Sequence, residues 1–142
     1  MKAFVVDTGP LVAYLRESDQ YHEWARQQFQ QYRFPFLTCE PVLTETAFLL
    51  SRYGGTRNVE PLLALLTKGA LRVTLQLSAQ ALCLQKFMRR YQNVPMSLAD
   101  ACLVRMAELH PNSTILTLDS DFLIYRKHER EPLALLMPER AP

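Results

Sequence analysis

The chain has 142 residues, 49% apolar and 21% charged, which suits one soluble globular domain with a single core and excludes a disordered or low-complexity segment. Its formal charge of +2 is too small to argue nucleic-acid binding from the net value, although 12 of its 16 basic residues are Arg, the better phosphate fork. Cys39, Cys83 and Cys102 form no C-x-x-C pair, so reduced thiols in a cytoplasmic protein are expected; no run approaches a signal-peptide core or a membrane span.

Taken in order, Ala3 to Val6 is an uninterrupted apolar run that stops at Asp7, the pattern of a strand buried on both faces of a parallel sheet. Asp7 then lies at the carboxyl end of a strand, where open parallel sheets place their ligands, or it simply starts a turn before Gly9-Pro10. Pro10 suits the first turn of a helix carrying Leu11, Val12 and Leu15. Ser18 or Asp19 is positioned to cap a second helix reaching Tyr32. Pro35 to Thr38 reads as the second strand, and Glu40-Pro41 opens a helix ended by Gly54-Gly55. A further helix runs from Asn58 to Lys68, and its leucines suit either the core or an exposed partner face.

Leu71 to Leu75 alternates, which marks a half-wet strand at a sheet edge. Ser78 is expected to cap a long helix to Tyr91 whose end bears Lys86, Arg89 and Arg90, a cluster that reads as a solvated face or as a phosphate contact. Ser97 caps the next helix, closed by His110-Pro111, and Thr114 to Leu118 is another buried strand. Asp119 to Phe122 makes a turn into a short helical piece, and Leu133 to Met137 is the last strand. The alternation of strands and helices predicts a three-layer α/β sandwich, residues 1–142 forming one domain, around a mostly parallel five-stranded sheet of order 3-2-1-4-5. That order sets the carboxyl ends of strands 1 and 4, with Asp7 and Asp119, side by side.

Two more acids break the helical pattern. Glu45 shares a face with Val42 and Leu49, and a carboxylate turned towards a core needs a partner. Asp100 shares a face with Leu103, Val104 and Ala107, but Ser97-Leu98-Ala99-Asp100 is also a capping box. Four acids around one switch point, with no adjacent base in sequence, form a hard oxygen-only set suited to Mg²⁺ or Mn²⁺. His22, His110 and His128 lie in polar or capping contexts, and no nucleophile elbow, zinc motif or P-loop occurs. An aspartyl-nucleophile phosphatase would need a second Asp where Gly9 stands.

Together, Val5-Val6-Asp7-Thr8-Gly9-Pro10-Leu11, Glu45, Ser97-Leu98-Ala99-Asp100-Ala101 and Thr117-Leu118-Asp119-Ser120-Asp121-Phe122 resemble the four signature segments of PIN-domain ribonucleases, and within them the VapC toxins of toxin–antitoxin pairs. The resemblance implies an endoribonuclease that uses Mg²⁺ or Mn²⁺ to activate a water against RNA phosphodiesters, leaving a 5′-phosphate and a 3′-hydroxyl. It assigns Asp7, Glu45, Asp100 and Asp119 to catalysis and metal binding, with Asp121 as an additional acid or only a turn cap. Thr8 and Ser97 match hydroxyls that steady the carboxylates, and a small antitoxin and a homodimer are the implied partners. Arg16, Arg89, Arg90 and Arg126 are the candidate phosphate contacts. A PIN-fold protein that binds RNA without cutting it is the alternative.

Overall fold

The computed structural model describes residues 2–33 and 35–139. Strand β1 (Ala3–Val6) leads into helix α1 (Thr8–Leu15); α2 (His22–Gln31), β2 (Phe36–Thr38), α3 (Glu40–Ser51), α4 (Glu60–Thr67) and β3 (Leu71–Val73) follow. The second half comprises α5 (Ala81–Arg90), α6 (Leu98–Leu109), β4 (Ser113–Leu116), the short strands β5 (Arg126–Lys127) and β6 (Glu131–Pro132), and β7 (Leu135–Leu136). The main sheet has the order β3-β2-β1-β4-β7, and every pair in it is parallel. This is the spatial order expected from the sequence, with the alternating segment at one edge.

β1 and β4 are the central strands and are buried almost throughout, which explains their lack of polar alternation. They pair in register from Ala3 opposite Ser113 to Val6 opposite Leu116, so both end at the same level. Against β1 packs an aromatic group: Phe4 lies 4.3 Å from Tyr32 and 6.0 Å from Phe36, ring centre to ring centre. Helix α6 buries Ala101, Cys102, Leu103, Val104 and Met106 in the same core. Cys39 and Cys102 are buried free thiols and Cys83 is half-buried. In α4, Leu62 is in the core while Leu63 is exposed.

Several boundaries differ from expectation. Asp19 does not cap α2; its Oδ1 accepts from the Tyr21 N–H at 2.8 Å, forming a turn that delays the helix to His22. Ser78 lies inside a 3₁₀ turn, Leu77–Gln80, and α5 begins at Ala81. The antiparallel ribbon β5–β6 was not anticipated: its strands are two residues each, too short for a hydrophobic period, and its turn uses positive φ at His128 (51°) and Glu129 (70°). Glu45 is the main correction within the helices, because it is exposed and not turned into the core. The buried stripe of α3 is Val42, Thr46 and Leu50, at i, i+4 and i+8, which leaves Glu45 at its margin. Thr46 is the buried polar residue, and its hydroxyl is satisfied by donating to the Val42 carbonyl at 2.7 Å.

Candidate active site

The ends of β1 and β4, the side of α3 and the start of α6 surround a cavity of about 270 Å³ lined by Asp7, Glu45, Asp100 and Asp119, with Thr8, Gly9, Leu49 and Leu118. Asp7 continues the ladder by donating its N–H to the Leu116 carbonyl at 2.9 Å, and it is also the N-cap of α1, its Oδ1 accepting from the Thr8 N–H at 2.7 Å. Strand end and turn start are thus one residue. Gly9 permits the close approach of this first helical turn to the residues after β4, since a Cβ there would stand 3.0 Å from Leu118 Cδ1.

Thr117 couples the two strand ends. Its hydroxyl donates to Asp7 Oδ2 at 2.7 Å and accepts from the Asp119 N–H at 3.0 Å, entirely out of solvent. Asp119 in turn caps the 3₁₀ turn Ser120–Leu123, accepting on Oδ1 from the Asp121 N–H at 2.9 Å. Asp121 contributes its backbone to this turn and does not line the cavity.

Asp100 carries the capping box and also reaches the cavity. Ser97 Oγ accepts from the Asp100 N–H at 3.0 Å, and Asp100 Oδ2 accepts from the Ser97 N–H at 3.4 Å and from the Tyr125 hydroxyl at 2.9 Å. The Tyr125 ring is buried edge-on against Phe122 and Tyr91, with centroids 5.2 and 5.1 Å away, which fixes the direction of its hydroxyl. Glu45 is held least firmly, by Thr8 Oγ1 donating to its Oε2 at 3.4 Å.

Among the described residues none of these four carboxylates forms an ion pair; the recorded pairs involve Glu23, Glu108 and Glu129. Burial consequently pushes the Asp7 carboxyl up to about 7 from its ordinary 3.8, opposed by the bonds from Thr117 and Thr8 and assisted by the charges of Asp100 and Glu45. Burial likewise raises Asp100, against the hydrogen bonds from Tyr125 and Ser97, with Asp119 adding repulsion. A buried negative charge that the fold does not neutralise suits a cation, and the all-oxygen donors suit a hard one. Side chains are not drawn together, however: among the described residues no three His, Cys, Asp or Glu side chains converge closely enough to chelate an ion.

The nominated arginines lie elsewhere. Arg16 stacks 3.3 Å over the Tyr53 ring, Arg90 pairs with the exposed Glu129 at 2.9 Å, and Arg126 donates to the carbonyls of Leu123, Ile124 and Tyr125. Arg89 is exposed on the last turn of α5, and none of the four lines the carboxylate cavity. The histidines do not line it either: His22 Nδ1 is 2.7 Å from the Ala13 carbonyl, His110 ends α6, and His128 is exposed. Two residues of this site escape sequence reasoning as site residues, Thr117 and Tyr125. Thr117 is signalled by its place two residues before Asp119, as in a hydroxyl-initiated turn; Tyr125 leaves no comparable local trace.

The family described as PIN domain matches residues 4–127. Among solved structures, the crystal structure of VapC20 from Mycobacterium tuberculosis, described as a sarcin-ricin loop cleaving toxin, is similar with a TM-score of 0.75 at 23% identity. The similarity covers 92% of this chain and 100% of that one. No curated protein matches the sequence.

Proposed function

The chain belongs to the PIN-domain family, and we propose that it is a divalent-metal-dependent endoribonuclease, the toxin of a toxin–antitoxin pair acting in the cytoplasm. One observation carries the reading: Asp7, Glu45, Asp100 and Asp119, from four separate elements, line a single cavity with no basic counterpart among the described residues. These four residues would hold Mg²⁺ or Mn²⁺, with Asp121 outside the cavity as an outer acid at most. When bound, the ion lowers the pKa of water and stabilises charge on phosphoryl oxygens.

The chain's own groups supply the positioning. Thr117 holds Asp7 Oδ2 and the Asp119 backbone in a fixed relation, so the two acids cannot drift apart independently. Tyr125 and Ser97 both bond Asp100 Oδ2 and so orient that carboxylate. Glu45, exposed on α3 and tied among the described residues by the 3.4 Å contact with Thr8, is the acid free to swing towards a cation. The resemblance to PIN-domain ribonucleases implies water attack on a phosphodiester there, giving a 5′-phosphate and a 3′-hydroxyl.

RNA is the substrate of this reading, and a small antitoxin protein and a second copy of the chain are its expected partners. Single-stranded RNA incubated with the purified protein is expected to be cut in Mg²⁺ or Mn²⁺ and left intact when a chelator is added. Cleavage that persists undiminished in excess EDTA overturns the reading, whereas RNA binding without cleavage in any divalent ion would favour the non-nuclease alternative.

A further inference from the structure

Beside the carboxylate cavity lies a larger one, a trough of about 810 Å³ between α3, the 3₁₀ turn Leu77–Gln80 and the start of α6. The two share Glu45 as a wall, and the trough also reaches Ala99, the residue before Asp100. A strand seated with a phosphate at the carboxylates therefore leads directly into it. Pro41, Leu77 and Leu98 give the trough an apolar lining, and Phe48 is 62% exposed beside it. An aromatic ring that open to solvent, next to a cavity of nucleotide size, is available for stacking.

Electrostatics selects which part of a nucleotide fits. Glu40 and Glu45 stand in the wall, and no basic side chain does among the described residues, so the trough repels phosphate and accepts a neutral ring. The cation lies just beyond: the Arg52 guanidinium is 5.9 Å from the Phe48 ring centre. Glu45 and Phe48 on α3 and Arg52 at its C-cap are spaced i, i+3 and i+7, so acid, ring and cation follow one another along one face over about 10 Å.

We propose that this trough is the subsite for the unpaired nucleobase adjoining the scissile phosphodiester, with Phe48 as its stacking platform and Arg52 as the contact for the following phosphate. This rests on the ribonuclease reading and adds to it a preference for unpaired RNA, because a base stacked on Phe48 cannot also stack and pair within a duplex.

The test compares wild type and Phe48→Ala on an RNA oligonucleotide that is intact or made abasic at single positions beside the cut. One abasic position is expected to raise the wild-type KM about 5- to 150-fold, Phe48→Ala to raise KM for the intact RNA similarly, and the two together to give no further loss. Independent, additive losses, or no effect of either change, overturn the subsite. So does a loss that instead tracks dissociation of the protein into monomers in sedimentation, which would make the trough a protein interface. A second measurement does not depend on cleavage: Phe48→Trp in a catalytically inactive Asp7→Asn background should show an emission change with unpaired RNA, absent with an abasic strand and absent without the new tryptophan. Equal responses to both strands defeat the subsite even if the RNA is cut, whereas failure of wild type to cut any RNA in Mg²⁺ or Mn²⁺ defeats the nuclease reading separately.

Discussion

Replacing Asp7 by Asn should stabilise the metal-free protein at alkaline pH and do nothing of the kind in acid. The Asp7 carboxyl is raised from 3.8 to about 7, chiefly by burial, so between these values the native state holds a proton that the unfolded chain has lost. Stability therefore falls as pH rises through this window. The cost is absent below about pH 4 and complete above about pH 7, where the shift corresponds to about 4 kcal/mol at 1.36 kcal/mol per pH unit. Asn keeps an oxygen for the Thr8 N–H but faces the Thr117 hydroxyl with an amide, which reverses that bond and costs about 1 kcal/mol. The expected balance at pH 8 in EDTA is a gain of about 3 kcal/mol, seen as a higher urea midpoint; at pH 5, where the carboxyl cost has reached only about 1.6 kcal/mol, the gain shrinks below about 1 kcal/mol, and below about pH 4 it becomes a loss of up to about 1 kcal/mol. Added Mn²⁺ should restore wild type at pH 8 and leave the variant unmoved, since the cation takes the place of the missing proton. A wild type equally stable at pH 5 and pH 8, or a variant destabilised at both, would show that another group neutralises the buried charge.

Three further outcomes are expected. Asp100→Asn can retain one oxygen where Oδ2 now meets both Ser97 and Tyr125, so its metal-free melting temperature should equal or exceed wild type while cleavage falls at least ~100-fold; a destabilised but fully active variant would return Asp100 to the cap alone. Glu45→Gln, at an exposed position, should leave stability within about 0.5 kcal/mol by urea titration yet lower cleavage by a similar ~100-fold, and full activity would remove it from the site. RNA affinity of an inactive variant should fall steeply with salt if Arg16, Arg52, Arg89, Arg90 or Arg126 meets phosphates; because Arg16, Arg90 and Arg126 are already engaged within the chain, Arg52→Ala and Arg89→Ala should flatten the slope most.

The parallel sheet was legible because its central strands are buried on both faces and lack polar alternation, while the edge strand alternates. The acid positions were legible for the same reason, since Asp7 and Asp119 interrupt apolar runs where a sheet ends. Helix starts were less so: Asp19 and Ser78 have the chemistry of caps, but local turns claim them first, and tertiary packing decides where the helix begins. Glu45 was reached through a wrong step, because periodicity alone does not say which of two adjacent stripes on α3 faces the sheet. Thr46, not Glu45, occupies the buried stripe. Tyr125 could not be read, since its partner Asp100 is 25 residues away and the contact exists only once α6 and the turn after β4 are packed together.

The pairing of β1 with β4 also fixes when the four acids can come together during synthesis. β1 is made first, yet one of its two neighbours lies more than a hundred residues later, and Thr117 follows that strand. A chain still short of β4 already carries Asp7, Glu45 and Asp100, but Asp7 lacks the hydroxyl that holds it and β1 shows an unpaired edge. Such pairings between distant segments form late and slowly. Truncated products should therefore be prone to association and, on the ribonuclease reading proposed above, devoid of cutting activity until β4 has been made.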